Sequence, residues 1–182
     1  MRDAIQKILD DLTNQNDKRL SVFNLQVKGL DKGTLSLSGN LLNRDQLSAL
    51  KEAFSHHFPD LSVDTDSIHI LHRPNLPCFH VATSLTGLYE KPTFGMALSS
   101  ELTFGTELEI LDEQGKWIFT KQGDGYLGWA YKPFLAEGEA LAATHLIIAP
   151  SYELRAGPNI TSEVVTRLMS GTGVGVEETQ SE

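Results

Sequence analysis

The spacing of hydrophobic positions divides the chain into a helix-containing part and a β-rich part. Over residues 2–13, apolar side chains recur at the i, i+3, i+4, i+7 spacing of an amphipathic helix. These side chains are Ile5, Ile8, Leu9 and Leu12. From Leu20 the period changes to two, and Asp31-Lys32-Gly33 reads as a turn before a second alternating run. The pattern predicts a helix followed by a β-hairpin with Phe23, Leu25 and Val27 on one face.

A second helix is predicted after the hairpin. Asn43 is a typical N-cap, and Gln46 lies three residues on, where a capping-box partner belongs. The apolar stripe that follows ends before Pro59 and consists of Leu47, Leu50, Phe54 and Phe58. Val63, Ile68 and Ile70 then indicate one or two short strands. Residues 1–72 are therefore predicted to form a small α+β domain.

The strand that leads into this second helix has the sequence Leu35-Ser36-Leu37-Ser38-Gly39. That strand and the order of elements around it resemble the BON family. The resemblance implies a small module of that family at residues 1–72. The alternative interpretation is a packing or spacer domain.

The chain changes character at a stiff linker, Arg73-Pro74-Asn75-Leu76-Pro77. Proline has no amide donor and disfavours a helix before it, so two prolines this close favour an extended connection. Beyond the linker the helical period disappears, and short β runs alternate with glycines. That pattern is typical of all-β domains.

The β part contains an internal repeat. Residues 80–116 align without a gap with residues 146–182 at a shift of 66. Apolar positions fall on apolar ones and turn residues on turn residues, as with Leu88 on Leu154 and Gly105 on Gly171. We expect one complete all-β domain at residues 78–138 and a second copy at 144–182. The partner of Trp117 would be residue 183, so the second copy is expected to be incomplete and the chain to be a fragment.

Charge and hydropathy exclude some classes of partner. The 182 residues include 15 basic and 24 acidic side chains, for a formal charge of −9. Nucleic acids and anionic membranes need clustered Lys and Arg, and none is present. No apolar run reaches the roughly 20 residues of a membrane span. The first residues lack the features of a secretory signal, which predicts a cytoplasmic protein.

A more specific resemblance rests on four features of the first β domain. They are the run Leu85–Pro92, the Gly105-Thr106 turn, a strand that ends at Trp117, and the segment Asp124-Gly125-Tyr126-Leu127-Gly128-Trp129. Together they resemble the bacterial SH3-like domain. Tandem copies of that domain resemble the N-terminal targeting region of NlpC-type cysteine peptidases. Those enzymes cleave cell-wall peptides between γ-D-glutamate and a diamino acid. The fold class predicted overall is an α+β domain followed by SH3-like barrels, the second incomplete.

Four aromatic residues of the first barrel are candidate ligand-binding residues, namely Tyr126, Trp129, Trp117 and Tyr131. Side chains alternate faces along a strand, and both faces of the strand at Trp117 carry apolar residues. Since a small barrel has only one interior, some of these rings are expected to line an outer groove. The alternative is that the tryptophans cap the barrel or pack between the two copies.

No catalytic or metal site is predicted in this chain, and no cofactor. Cys78 and His80 share a strand face, but no orienting third group accompanies them and the NlpC nucleophile motif is absent. The histidines lack metal-ligand spacing, and Asp60, Asp64 and Asp66 lack the glycine and distal glutamate of a calcium loop. Gly171-Thr172-Gly173 falls on a turn and strand of the repeat rather than on a phosphate loop.

The sequence supports two hypotheses of function. In the first, the chain is the non-catalytic, substrate-positioning region of a cell-wall peptide hydrolase, with its NlpC-like catalytic domain beyond residue 182. Its partners would be a cell-wall peptide and that catalytic domain. In the second, it belongs to an SH3-like peptide- or wall-binding scaffold protein without a peptidase. The sequence leaves the oligomeric state open.

Overall fold

The structure is a computed structural model that describes residues 1–177. The chain divides into two compact units, Met1–Asn75 and Leu76–Glu182. The first unit has the predicted order helix–strand–strand–helix–strand. Its elements are α1 (Arg2–Asn14), β1 (Phe23–Asp31), β2 (Thr34–Leu41), α2 (Arg44–His57) and β3 (Ser62–Ile70).

The first unit is a three-stranded sheet packed against its helices. β2 lies in the centre, antiparallel to β1 and parallel to β3. Its inward side chains Leu35, Leu37 and Leu41 are fully buried. They pack with Ile5, Ile8 and Leu9 of α1 and with Leu50 and Phe54 of α2. The stripes predicted for both helices therefore form this core.

The predicted capping box begins α2. Asn43 Oδ1 accepts from the backbone N–H of Gln46 at 3.1 Å, and Gln46 Oε1 accepts from the N–H of Asn43 at 3.3 Å. Gln46 Nε2 also donates to Asn16 Oδ1 and to Ser21 Oγ, at 2.8 and 2.6 Å. The cap thus also holds the segment that connects α1 to β1.

Two details of the first unit add to the sequence-based expectation. Val27 is 41% exposed although its cross-strand neighbour Leu37 is fully buried, and the register of β1 against β2 shifts directly after it, between Val27 and Gly29. The segment containing Val63, Ile68 and Ile70, predicted as one or two strands, is one strand of nine residues, β3.

The second unit begins with an antiparallel sheet. Within residues 78–137 the strands are β4 (Cys78–Val81), β5 (Leu85–Tyr89), β6 (Leu98–Thr103), β7 (Glu107–Gln114), β8 (Trp117–Gln122), β9 (Leu127–Tyr131) and β10 (Leu135–Glu137). A 3₁₀ turn, Lys132–Phe134, separates the last two. The strand order is β10-β4-β7-β8-β9-β5-β6.

This sheet curls around one core. Val81 of β4, near one end of the strand order, and Leu102 of β6, at the other, belong to the same buried cluster. Leu88, Leu108, Ile118 and Ala130 complete its centre and are all fully buried. Backbone bonds between Val81 and the β6–β7 turn, at 2.9 and 3.0 Å, bring the two ends together. The result is a small barrel, as predicted.

The strand pairing of residues 151–169 repeats that of residues 85–103. The second copy contains β11 (His145–Leu146), β12 (Ser151–Arg155), β13 (Val164–Met169) and β14 (Gly173–Val174). Each residue pair of β12 and β13 equals a pair of β5 and β6 moved by 66, as Leu88↔Ser100 becomes Leu154↔Thr166. The register shift near the end of β5 recurs at Leu154/Arg155. Even the irregularity of the hairpin is therefore repeated.

The second copy buries its apolar positions less well than the first. Leu88 is fully buried, whereas its counterpart Leu154 is half-buried. In the first copy β5 has two neighbours, β6 on one side and β9 on the other. Its counterpart β12 pairs with β13 alone, and no strand among residues 144–177 lies on its other side. The portion of the predicted repeat at residues 178–182 lies outside the described part of the chain.

A substitution at Gly128 tests the packing of β9 on the core. A Cβ atom there would lie 2.6 Å from Leu88 Cγ, a distance that side chains cannot accept. We expect Gly128→Ala to lower the free energy of unfolding by about 1–3 kcal/mol, the usual cost of overpacking. Urea or thermal unfolding measures this loss.

Gly123→Ala is the matched control, because nothing lies within 4 Å of a Cβ built at Gly123 and its φ is not positive. We expect that variant to be neutral, or stabilised by up to about 1 kcal/mol. Equal stability of the two variants would contradict the packing argument.

Candidate aromatic binding face

The outer side of β8 and β9 is covered by aromatic rings. Ile118 and Thr120 of β8 and Ala130 of β9 are buried inside the barrel. Because side chains alternate faces, the residues between them point outward. Strand pairing places these outward residues in two rows. The first row is Asp112–Phe119–Trp129–Tyr89 and the second is Gln114–Trp117–Tyr131.

The rings within and between these rows touch. The ring centroids of Trp117 and Tyr131 are 5.2 Å apart, and those of Phe119 and Trp129 are 5.3 Å apart. Tyr89 stands edge-on to Trp117 at 5.5 Å. These distances and angles fall in the favourable range for aromatic pairs. The side chains are half-buried, so each ring keeps part of its surface exposed.

Two further rings join this group from outside the strands. Phe94, in the loop between β5 and β6, lies 4.8 Å from Trp117 and 5.0 Å from Tyr131, centroid to centroid. Phe134 of the 3₁₀ turn lies 5.1 Å from Tyr131. Phe94 is 53% exposed. We call the whole group the aromatic face, which consists of Tyr89, Phe94, Trp117, Phe119, Trp129, Tyr131 and Phe134.

Three of the four predicted ligand-binding residues, Trp117, Trp129 and Tyr131, belong to the aromatic face. Tyr126 packs against the barrel core instead. Its backbone follows Gly125, at φ +95°, and its N–H donates to Asp124 Oδ1 at 3.0 Å. A ligand-binding role for all four stays a prediction.

Tyr89, Phe94, Phe119 and Phe134 were not predicted from the sequence as candidate ligand-binding residues. Phe119 alternates with Ile118 in the same way as Trp117, so the strand pattern alone could have predicted its outward position. Phe94 lies in the proline- and glycine-containing segment Lys91–Gly95, where an isolated large ring has no strand partner to pack on. Tyr89 joins because β5 pairs with β9, a contact between strands that are not consecutive.

The side of the aromatic face next to β7 is acidic. Asp112 is the direct cross-strand neighbour of Phe119, and its Oδ1 accepts the N–H of Glu113 at 2.8 Å. Two lysines nearby are held in ion pairs, Lys121 with Glu109 at 3.3 Å and Lys132 with Glu113 at 2.6 Å. A ligand on this face therefore meets aromatic surface with carboxylate oxygens at its edge.

Cys78 and His80 lie elsewhere in the barrel, on β4. They pair with Glu109 and Glu107 of β7. Burial, with added repulsion from Glu107, Glu139 and Glu109, raises the pKa of the Cys78 thiol. A raised pKa disfavours the thiolate, which is the nucleophilic form. This environment is the reverse of the one that activates a catalytic cysteine.

The described part of the chain contains neither a candidate metal site nor a candidate membrane-spanning helix. Within residues 1–177, no three His, Cys, Asp or Glu side chains group as a metal site would require. No helix described there is long and apolar enough to cross a bilayer.

The segment that contains most of the aromatic face matches a known protein family. Residues 88–130 match the family model of the bacterial dipeptidyl-peptidase Sh3 domain. This segment is similar to a bacterial SH3-like domain. The match runs from Leu88 of β5 to Ala130 of β9, and so includes all of the aromatic face except Tyr131 and Phe134. No curated protein matches the chain.

The predicted resemblance to a bacterial SH3-like domain is therefore confirmed for residues 88–130, and the matched family model describes a domain of peptidases. The resemblances to NlpC-type peptidases and, for residues 1–72, to the BON family stay predictions.

The raised pKa of Cys78 predicts slow alkylation. The rate of reaction with iodoacetamide follows the thiolate fraction, and a pKa raised above about 8.5 moves the midpoint of the pH–rate profile upward. We expect the folded chain to react several-fold more slowly than the urea-unfolded chain at pH 8. Unfolding removes burial, which is the largest cause of the shift.

Glu107→Gln removes one of the smaller causes and should lower that midpoint by a smaller amount than unfolding does. A folded-state profile that coincides with the unfolded one would show that the environment does not perturb Cys78.

Proposed function

We propose that this chain positions cell-wall peptides for an NlpC-like peptide hydrolase, and that its SH3-like domain contributes the aromatic face to substrate binding. The family match supports a binding or targeting role for residues 88–130. The single observation that carries the proposal is the contiguous aromatic face on the outside of that domain. Catalysis would belong to a separate NlpC-like domain.

The chemistry of the face suits a peptide that carries a positive charge. Rings with polar edges are the usual material of peptide grooves, because they offer a large contact area with few rotatable bonds. An ammonium against an indole ring gains about 0.5–2 kcal/mol. Asp112, next to Phe119, supplies the opposite charge. A short wall peptide with a free N-terminus and a diamino acid side chain presents such ammonium groups.

Tyr126 is proposed as a further reader of the peptide N-terminus through its hydroxyl group, which can donate or accept a hydrogen bond. Its ring packs against the barrel core, so a Phe at this position keeps the apolar contact and removes only the hydroxyl. Tyr126→Phe therefore separates the role of the hydroxyl from the role of the ring.

A scaffold protein that binds wall peptides without cleaving them is the second candidate function. The observation in its favour is that the family match covers the SH3-like domain alone. The aromatic face would serve such a protein equally well. Reading the parent gene on both sides of this sequence distinguishes the two.

Binding can be measured from the protein's own fluorescence. The chain has two tryptophans, and both belong to the aromatic face. Addition of a peptide with a γ-D-glutamyl-diamino acid link and a free N-terminus should change their emission. We expect both Asp112→Asn and Trp117→Phe to weaken binding about three- to thirtyfold, since each 1.4 kcal/mol is a factor of ten. In Trp117→Phe the remaining tryptophan, Trp129, reports the binding.

Tyr152→Phe is the matched control for this experiment, because Tyr152 is an exposed ring on β12 of the second copy. N-acetylation of the peptide removes one ammonium and should weaken binding as well. Binding that is unaffected by the Trp117 and Asp112 substitutions would rule out the aromatic face as the site.

The chain alone should leave γ-D-glutamyl-diamino acid peptides uncleaved, as followed by chromatography. The thiol of Cys78 is disfavoured as a nucleophile by its raised pKa. Cleavage that disappears in Cys78→Ala would overturn this expectation and make Cys78 the nucleophile.

A further inference from the structure

A second concave site lies within the second unit, away from the ring contacts of the aromatic face. It is a cleft of about 590 Å³ between the β4–β7 side of the first copy and the chain around β14. Its walls include His80, Thr106 and Glu107 on one side, and Leu141, Leu154 and Val174 on the other. A volume of this size, mostly apolar with a few polar groups, is typical of small-molecule sites.

The cleft is held open by hydrogen bonds rather than by loose loops. The backbone N–H of Ala140 donates to Glu107 Oε1 at 3.2 Å, which fixes the segment after β10 against β7. Thr144 N–H donates to the carbonyl of Val174 at 2.9 Å. Gly175 allows this segment to approach closely, since a Cβ there would lie 2.4 Å from Leu141 Cβ. Both walls are therefore positioned before any ligand arrives.

The polar groups of the cleft are hydrogen-bond acceptors and would bind a ligand that donates. His80 Nδ1 lies 3.0 Å from the carbonyl oxygen of Gly138. Because a carbonyl can only accept, Nδ1 donates, and in the neutral ring Nε2 is left as an acceptor. One oxygen of Glu107 accepts from Ala140, and the carboxylate has a second oxygen to offer. Two acceptors in an apolar cleft match a ligand with several donors on one atom.

The charges around this wall favour a cation. Glu107, the direct cross-strand neighbour of His80, and Glu139 both place negative charge near Cys78 of the same strand. The charge of Glu109, the next outward carboxylate on β7, is paired with Lys121. An ammonium group meets both conditions, since it carries three donors and a positive charge.

We propose that the cleft binds a small primary amine with an apolar body, its ammonium between Glu107 and His80 and its body against Leu141, Leu154 and Val174. This site is independent of the proposed peptide-positioning function. No member of the aromatic face lines the cleft.

The test uses three probes of equal length that differ in one group: n-hexylamine, 1-hexanol and hexanoate. Each is titrated at pH 7 into the ¹⁵N-labelled chain, and amide shifts are followed. We expect hexylamine to move the amides of Gly105, Thr106, Ala140 and Gly173, hexanol to move the same amides at higher concentration, and hexanoate to move them least. Equal responses to hexylamine and hexanoate, or shifts confined to the aromatic face, would overturn the proposal.

Variants of the cleft test whether Glu107 supplies the negative charge that binds the ammonium group. Glu107→Gln keeps an oxygen that can accept from Ala140 and removes the negative charge, so the wall should stay in place. We expect it to weaken hexylamine binding about two- to fivefold, the upper part of the range for an exposed ion pair, and to leave hexanol unchanged. Glu101→Gln, an exposed carboxylate on β6, is the matched control and should change neither probe.

Ala142→Phe adds bulk to the lining of the cleft and should abolish the shifts from hexylamine and hexanol alike. Unchanged hexylamine affinity in both Glu107→Gln and Ala142→Phe, with the spectrum of the folded chain retained, would show that the amine binds elsewhere.

Discussion

Strand β9 runs so close to Leu88 that a methyl group at position 128 would lie 2.6 Å from Leu88 Cγ. The same strand pairs on one side with β8 and on the other with β5. Its inward positions must therefore be the small residues Gly128 and Ala130, and its large side chains have to point outward. The aromatic face is a consequence of this constraint, because a full interior leaves Trp129 and Tyr131 only the outer side. Packing and binding surface are thus set by the same strand.

The sequence predicted those parts of the structure that depend on local pattern. Alternation around Ile118 assigned the two sides of β8, and the capping residues Asn43 and Gln46 marked the start of α2. It failed where distant parts of the chain meet. Phe94 joins Trp117 because a loop folds back over the sheet, and Tyr89 joins because β5 lies next to β9. Neither contact has a signature in the residues themselves.

The two copies share a backbone pattern but differ in surface chemistry. Arg155 occupies the position of Tyr89 and bonds to Glu153 and to the carbonyl of Ser162. Ile160 stands in place of Phe94 and is 84% exposed. Identical strand registers therefore carry rings in one copy and an ion pair with an aliphatic side chain in the other. Tyr89 and Phe94, two members of the aromatic face, are therefore residues that the shared strand register does not require.

Strand β7 links the two candidate sites. Its outward carboxylates point to the same side of the sheet but have different partners: Glu109 pairs with Lys121, while Glu107 and Asp112 accept backbone N–H groups. An N–H group satisfies a carboxylate without cancelling its charge, so Glu107 and Asp112 keep their negative potential. One lies beside the cleft and the other beside the aromatic face. Two exposed carboxylates on one strand therefore stand next to apolar surface, which is the arrangement on which both proposals of a cationic ligand rest.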